Sequence, residues 1–201
     1  MRFFWIAVLT ACCLAAAPNV ERVVLETELG PIEVELYPEA APLTVANFLR
    51  LVDGHYLDGA VFFRTVSPQN DNGSPVISVI QAGLGERPSP FPPIAHESTE
   101  ETGLNHLDGT ISMARGDLGT AASDFFICIG DQPALDFGAK RNADGQGFAA
   151  FGRVVRGMDV VRAIHRKPAN APTEDAYVKG QILDEPVRIV LARRLHAERT
   201  P

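Results

Sequence analysis

The chain has 201 residues, of which 46% are apolar and 21% are charged. This composition excludes a disordered chain, a fibrous repeat and a polytopic membrane protein. The net charge is −7, and no Lys/Arg run is longer than the pair Arg193 and Arg194. The chain therefore lacks the basic surface with which proteins bind nucleic acid, and we expect no nucleic-acid partner.

The first element in chain order is an apolar N-terminal segment. Arg2 gives it a positive charge, residues 3–14 are mostly apolar, and three alanines end at Ala17. This pattern is typical of a secretory signal peptide, here residues 1–17, and it predicts an exported, periplasmic protein. The apolar stretch is too short to span a bilayer, because a spanning helix needs about 20 apolar residues.

The cysteines leave open a second interpretation of this segment. Residues 9–12 (Leu-Thr-Ala-Cys) resemble the lipobox of bacterial lipoproteins, in which a lipid on Cys12 would anchor the protein to a membrane. Cleavage after Ala17 would instead leave Cys128 as the one remaining thiol, which can form neither an internal disulfide nor a cysteine-based zinc site. Since Cys128 lies in an apolar run, we expect a buried side chain rather than a nucleophile.

Hydrophobic periodicity predicts about eight short strands and two helices. In chain order, we expect strands at residues 23–29 and 32–36, a helix at 42–54, strands at 60–66, 76–81, 109–114, 125–130 and 148–155, a helix at 158–165 and a last strand at 185–194. Gly30 and Pro31 predict the turn of a first hairpin. Pro42 suits the first turn of the first helix, and Gly54 suits its end.

The connections between these elements predict a single domain. Polar or Pro/Gly-rich loops occupy residues 67–75, 85–93, 138–147 and 167–180, but none has the length or composition of a domain linker. We therefore expect one domain, from about residue 21 to residue 195. Many short strands favour a sandwich or a closed barrel, and closure would remove exposed strand edges.

Five motifs occur in order along the chain. They are residues 62–64 (Phe-Phe-Arg), 80–83 (Ile-Gln-Ala-Gly), 106–115 (HLDGTISMAR), 123–128 (SDFFIC) and 151–161 (FGRVVRGMDVV). Together they resemble the cyclophilin family of peptidyl-prolyl cis–trans isomerases over about residues 22–193. The resemblance implies a mainly β fold, a closed eight-stranded antiparallel β-barrel capped by two α-helices. It also implies an enzyme that acts on proline-containing polypeptides.

Rotation about an Xaa-Pro bond requires a hydrogen-bond donor beside an apolar pocket. The barrier is about 18–20 kcal/mol, because twisting the bond destroys amide resonance. In the twisted state the prolyl nitrogen gains a lone pair, and a fixed donor stabilises that state without any covalent bond. Arg64 ends an apolar strand and carries five N–H donors on a guanidinium that is always charged. The resemblance implies that Arg64 is the catalytic arginine.

The resemblance also implies roles for seven further residues. Gln81 would bond the substrate backbone and help to orient Arg64, and Phe126 would form the floor of the proline pocket. Leu135 would form a wall of that pocket. Ala114 and Arg115 would belong to a segment whose backbone pairs with an extended substrate. Val79 and Phe148 are also assigned to substrate binding, and Phe148 stands where the family has a histidine.

Because the reaction is rotation about a bond, we expect no cofactor. The spacing of His96 and His106 does not match a metal site either. The expected protein is an exported, monomeric isomerase that assists the folding of other exported proteins. The rival hypothesis is a non-catalytic proline-peptide-binding module or holdase chaperone on the same fold. Ser78 and Ala134 favour this rival, because the family has aromatic residues at those positions. A further departure from the family is Asp124, which replaces a usual glutamine.

Overall fold

The computed structural model describes residues 19–85 and 87–195, and in these residues eight strands and three helices follow one another. The strands are β1 (Glu21–Thr27), β2 (Gly30–Leu36), β3 (Val61–Val66), β4 (Val79–Gly83), β5 (Thr110–Met113), β6 (Phe125–Cys128), β7 (Ala149–Arg156) and β8 (Ile182–Arg194). The helices are α1 (Pro42–Asp53), α2 (Thr99–Thr102) and α3 (Met158–His165). Short 3-10 helices occupy Pro133–Leu135 and Ala176–Val178.

The strands close into one antiparallel barrel in the order β1-β2-β7-β5-β6-β4-β3-β8, with β8 pairing back onto β1. This confirms the expected closed barrel and excludes the sandwich. Closure leaves no exposed edge along the sheet. The predicted helices are confirmed as α1 and α3. The one-turn α2 was not predicted, although Ser98 and Glu101 form a capping box at its start.

Strand β4 begins three residues later than its sequence pattern predicts. The predicted strand started at residue 76, whereas the ladder starts at Val79. Two backbone N–H groups of the intervening segment are bonded to side chains instead of to a strand. Ile77 N–H donates to Asp71 Oδ2 at 2.8 Å, and Ser78 N–H donates to Gln132 Oε1 at 3.0 Å. Side-chain acceptors of this kind compete with sheet pairing.

The first hairpin and the last strand also differ from the prediction in their bounds. The turn lies at residues 28–29 rather than at Gly30 and Pro31, which already belong to β2. Pro31 pairs with Glu26 of β1, and pairing of β2 with β7 begins only at Glu33, so β7 does not require the missing N–H of Pro31. Strand β8 starts at Ile182, because its first residues pair with β3.

Helix α1 packs its apolar face onto the core of the barrel. Phe48 is completely buried and contacts Phe125 edge-on, with ring centroids 5.4 Å apart, and Phe151 at 5.2 Å. Burying a side chain of this size stabilises the fold by about 1.5–3 kcal/mol. The first turn of α1 is bonded by the carboxylate of Glu97, which accepts from the backbone N–H groups of Leu43 and Thr44.

The N-terminal predictions fall outside this part of the chain. The predicted signal peptide, residues 1–17, and Cys12 with it, lies outside the described residues. Within the described ranges, no helix combines the length and the hydropathy that crossing a membrane would require. Cys128 is buried, as predicted, and burial raises the pKa of its thiol well above the usual value.

Candidate active site

A second apolar cluster lies on the outer face of the barrel and forms the base of the candidate site. This outer cluster consists of Val66, Ile77, Val79, Phe126, Cys128 and Leu135. The strand neighbours Ile80, Phe125 and Ile127 belong instead to the main core. Alternate side chains of β4 and β6 thus face opposite sides of the sheet. Both faces are covered, which explains why all four residues of β6 are buried.

One cross-strand row brings the three predicted catalytic residues together. Arg64 on β3 pairs with Gln81 on β4, and Gln81 pairs with Phe126 on β6. In both ladders of β3 the register shifts between Phe62 and Arg64. Phe62 is completely buried in the core, so simple alternation would turn Arg64 inward as well. The bulge reverses this and aims Arg64 at the outer face.

Two glutamines hold the Arg64 guanidinium in place. Nη1 donates to Gln81 Oε1 at 3.0 Å. Nε and Nη2 both donate to Gln181 Oε1, at 2.9 and 2.6 Å. Burial lowers the pKa of Arg64, but a guanidinium starts from so high a value that it stays charged. The site therefore presents a fixed cation with unused donors.

Beside Arg64 lies a small cavity of about 120 Å³. All eight predicted site residues line it, together with Ile77, Arg141 and Tyr177. Phe126 and Phe148 meet edge to face with ring centroids 5.3 Å apart. Leu135 is buried within the outer cluster beside them. The arrangement offers an apolar recess, large enough for one small ring, next to a charged donor.

Arg115 and Ala114 contribute to the cavity from the end of β5. The Arg115 side chain donates to both carboxylate oxygens of Asp144, at 2.8 and 2.9 Å, and to the carbonyl of Gly147. Arg115 thus fastens the loop that precedes Phe148. The N–H of Ala114 already donates to the Asp124 carbonyl, so Ala114 can offer its own carbonyl oxygen to an extended chain.

Four residues at the site were missed by the sequence analysis. Ile77 lines the cavity, whereas Ser78 turns away and its Oγ lies 3.1 Å from His165 Nε2. Tyr177 and Arg141 line the cavity from loops that show no periodicity. Gln181 was likewise unremarkable in the sequence. The aromatic ring of Tyr177 lies 5.5 Å from the Arg64 guanidinium carbon, so an aromatic wall comes from a segment in which no motif indicated one.

Polar residues behind the cavity support its floor. His106 stacks on Phe126 with ring centroids 5.9 Å apart and an interplanar angle of 15°. Its Nδ1–H donates to Asp136 Oδ1 at 2.7 Å, and the Ser112 hydroxyl donates to its Nε2 at 3.0 Å. Ser112 and His106 are almost completely buried, so this triad-like arrangement cannot present a nucleophile to a substrate.

Residues 19–85 and 87–195 contain no set of side chains that could bind a metal ion. No three His, Cys, Asp or Glu side chains there lie close enough together to hold a metal ion. His96 and His106, whose spacing already argued against a metal site, bond to the Gln146 carbonyl and to Asp136, respectively.

A second, more open cavity continues from the first. The two share Gln81, Ala114 and Arg115, and the second extends to Thr120 and Asp124. Asp124 is largely buried, and burial raises the pKa of its carboxyl group. The two cavities together form a groove in which an extended peptide could lie on both sides of a bound ring.

Comparison with known proteins relates the whole described barrel to one family. A sequence model described as "Cyclophilin type peptidyl-prolyl cis-trans isomerase/CLD" matches residues 22–190. The chain is similar to a peptidyl-prolyl cis-trans isomerase of Acinetobacter baylyi, with 32% identity over 83% of this chain and 81% of the relative. It is also 32% identical to peptidyl-prolyl cis-trans isomerase A of Dickeya dadantii, over 89% of this chain and 86% of the relative.

Solved structures show the same fold at lower sequence identity. A cyclophilin-type peptidyl-prolyl cis-trans isomerase of Cryptosporidium parvum superposes with a TM-score of 0.67 and 18% identity, over 89% of this chain and 99% of the other. A second structure of that protein, determined in the presence of the dipeptide Ala-Pro, superposes with a TM-score of 0.65 and 19% identity, over 88% and 99% of the two chains.

Proposed function

The chain belongs to the cyclophilin-type peptidyl-prolyl cis–trans isomerases, and we propose that it accelerates rotation about Xaa-Pro bonds in exported polypeptides and so assists their folding. One observation carries the catalytic part of the proposal: the Arg64 guanidinium is held beside a small apolar cavity with donors to spare. Rotation about a bond requires no nucleophile and no covalent intermediate.

The hydrogen bonds of Arg64 to the two glutamines leave donors that a substrate can use. A guanidinium has five N–H bonds. Three of them donate to Gln81 and Gln181, which leaves one N–H on Nη1 and one on Nη2. In the planar amide the prolyl lone pair is delocalised, whereas in the twisted amide it is localised and accepts a hydrogen bond. The free N–H groups therefore stabilise the twisted state more than the ground state, which is what lowers a barrier.

The cavity holds the proline ring while the preceding amide twists. Phe126, Phe148 and Leu135 provide apolar contacts and keep water from the ring. Excluding water strengthens the electrostatic interaction between Arg64 and the developing lone pair. Gln81 uses its carbonyl oxygen on Arg64 and one amide N–H on Asp124, so its other amide N–H remains for a substrate carbonyl.

Export defines the client class in this proposal. It is supported by the charged, then apolar, then small-residue pattern of residues 1–17. An exported isomerase would assist folding because uncatalysed Xaa-Pro exchange takes tens to hundreds of seconds. Mass spectrometry of the mature N-terminus tests this part. A start near Pro18 supports secretion, a lipid-modified Cys12 supports the lipoprotein alternative, and an intact Met1 in the purified native protein contradicts export.

Cis–trans exchange of a short Ala-Pro peptide, measured by NMR exchange spectroscopy with the full chain, tests the catalytic part. We expect Arg64→Ala to lower the catalysed rate about a hundredfold, the usual effect of removing one transition-state donor. Arg64→Lys keeps the charge but loses the planar fork, so it should recover little of the rate. Arg156→Ala is the matched control, because it removes an exposed arginine of β7 and should leave the rate unchanged.

The same samples separate the isomerase from the rival binding module or holdase. A native protein that binds the peptide without accelerating its exchange would favour the rival. An Arg64→Ala variant that binds and exchanges the peptide like the native protein would remove Arg64 from the mechanism while leaving family membership untouched.

A further inference from the structure

Gln181 is a buried residue that joins the loop before β8 to the strand that carries Arg64. It has no exposed surface. Its backbone carbonyl accepts from Thr65 N–H at 2.9 Å, and its side-chain Nε2 donates to the Asn70 carbonyl at 2.8 Å. Because the amide NH₂ is committed to Asn70, the amide oxygen is fixed toward Arg64.

We propose that Gln181 is a positioning residue for the reaction: its Oε1 accepts from both Nε and Nη2 of Arg64 and thereby fixes the plane of the guanidinium. The inference rests on the proposed role of Arg64 as the donor to the twisted amide. Gln81 alone bonds a single guanidinium nitrogen and would leave the group free to rotate about that bond. A second acceptor that spans two nitrogens removes that freedom.

The acceptor that Gln181 offers to Arg64 is neutral, unlike the partners of the neighbouring arginines. Three arginines line the cavity, and two of them are paired with carboxylates: Arg115 with Asp144 and Arg141 with Asp71. In the described part of the chain, no carboxylate forms an ion pair with Arg64. An amide oxygen orients the guanidinium without neutralising it, so its positive charge stays available to the prolyl nitrogen. A carboxylate in the same place would compete with the substrate for that charge.

The first test compares Gln181→Met with Asn72→Ala in the full chain. Methionine keeps the volume of glutamine but has no oxygen to accept from Arg64. We expect Gln181→Met to lower the exchange rate of the Ala-Pro peptide at saturation about tenfold or more, while the peptide Kd changes less than about threefold, because misplacing a catalytic group affects the chemical step. Asn72 joins the same two loops by donating to the carbonyls of Tyr177 and Lys179 without contacting Arg64. Asn72→Ala should therefore keep the native rate.

A double-mutant cycle with Arg64→Ala separates positioning from a general structural role. If Gln181 acts through Arg64, Gln181→Met should produce no further loss of rate in the Arg64→Ala background. A loss of the same factor in both backgrounds overturns the inference, as does a similar loss in Asn72→Ala. If Arg64→Ala itself keeps the native rate, the proposed role of Arg64 fails, and this inference fails with it. If Arg64→Ala is inactive and Gln181→Met is fully active, the proposed function stands and only this inference fails.

A second test uses the native protein alone and therefore does not depend on whether a variant folds. With Nε and Nη2 both bonded to Gln181, the Arg64 side-chain N–H signals should exchange slowly with water in the absence of peptide, and the two Nη groups should give separate NMR signals. Fast exchange and averaged Nη signals would show a rotating guanidinium, and that result overturns the inference.

Discussion

The Asp71 carboxylate and the Arg141 guanidinium form a bidentate ion pair, with N···O distances of 2.7 and 2.8 Å. Both side chains are almost completely buried, with exposed fractions of 0% and 2%. Asp71 also accepts from the N–H groups of Gly73 and Ile77, and Arg141 donates to the Tyr177 hydroxyl. The pair thus fastens the loop before β4 to the loop before β7, and the hydrogen bond to Tyr177 joins the loop before β8 to both, at one side of the cavity.

Asp71→Asn should destabilise the protein strongly. The change leaves the Arg141 charge buried without its partner, and breaking a buried pair in this way typically lowers the free energy of unfolding by about 3–5 kcal/mol. Urea unfolding at pH 7 measures this loss. The control is Glu33→Gln, which breaks the pair with Arg156, whose side chain is 77% exposed. An exposed pair contributes at most about 1 kcal/mol. Equal losses in the two variants would contradict the prediction.

The Asp71–Arg141 ion pair should make the free energy of unfolding depend on pH in the acid range. Burial alone would raise the pKa of Asp71, but hydrogen bonds from Arg141 and from backbone N–H groups outweigh it, so the pKa lies below the usual 3.8. The stabilisation from ionised Asp71 is therefore complete above pH 3.8 and is lost as the pH falls through the folded-state pKa. The difference in unfolding free energy between the native protein and Asp71→Asn should shrink below pH 3.8. A difference that stays constant into acid would contradict this assignment.

Two substitutions of Tyr177 separate the contribution of its ring from that of its hydroxyl. Tyr177→Phe loses the hydrogen bond from Arg141 at 2.9 Å, so we expect about 1 kcal/mol of lost stability and a near-native exchange rate. Tyr177→Ala also removes the ring that lies 5.5 Å from the Arg64 guanidinium carbon. A cation–π contact at an exposed site contributes about 0.5–1 kcal/mol, so kcat/KM should fall about two- to fivefold. A larger effect of Tyr177→Phe than of Tyr177→Ala would contradict this division.

The strands and helices could be predicted from the sequence because they depend on local patterns, whereas the central row of the site was predicted from the resemblance. Alternation located the strands, and the motifs around Arg64, Gln81 and Phe126 indicated that these residues share one site, in which the structure brings them together. Period-two alternation could not predict that a bulge turns Arg64 outward, since Phe62 and Arg64 would share a face in a regular strand. The resemblance to the family, and not the periodicity of β3, assigned Arg64 to the site.

The residues around Arg64 that were missed lie in irregular loops. Gln181 is 117 residues from Arg64 along the chain, and Asp71 is 70 residues from Arg141. Gln181 reaches Arg64 because β3 pairs with β8. Asp71 reaches Arg141 because the loop before β4 meets the loop before β7. A polar residue in a loop carries no periodic signal, so its partner is defined only by the tertiary structure.

Asp124→Asn should stabilise the protein at neutral pH. Burial raises the pKa of Asp124 above its usual 3.8, so the ionised carboxylate destabilises the folded state. The sign is opposite to that of Asp71: stability is lost as the pH rises above 3.8 through the folded-state pKa. We expect a higher melting temperature than the native protein at pH 7 and the same melting temperature below pH 3.8. Asp117→Asn, an equal charge change on an exposed loop residue, should leave both values unchanged. If it raises the melting temperature equally, net charge and not burial is the cause.

Gly152 gives the Phe-Gly motif of β7 a steric explanation. A Cβ at this position would lie 2.2 Å from the Glu35 carbonyl oxygen and 3.0 Å from Leu36 Cδ2 on the paired strand β2. Gly152→Ala must therefore push β7 away from β2, and overpacking of this kind lowers the free energy of unfolding by about 1–3 kcal/mol. At about 2–4 °C per kcal/mol for a chain of this size, the melting temperature should fall by several degrees.

The matched control for this change is Gly116→Ala, whose Cβ would meet no atom closer than 3.7 Å. Its melting temperature should stay within about 2 °C of the native value. The exchange rate per folded Gly152→Ala molecule should stay near native, because Gly152 pairs with β2 and β5 rather than with the strands that carry Arg64 and Gln81. A Gly152→Ala variant as stable as the native protein would mean that β2 and β7 can move apart without loss of stability. The Phe-Gly motif would then need a different explanation.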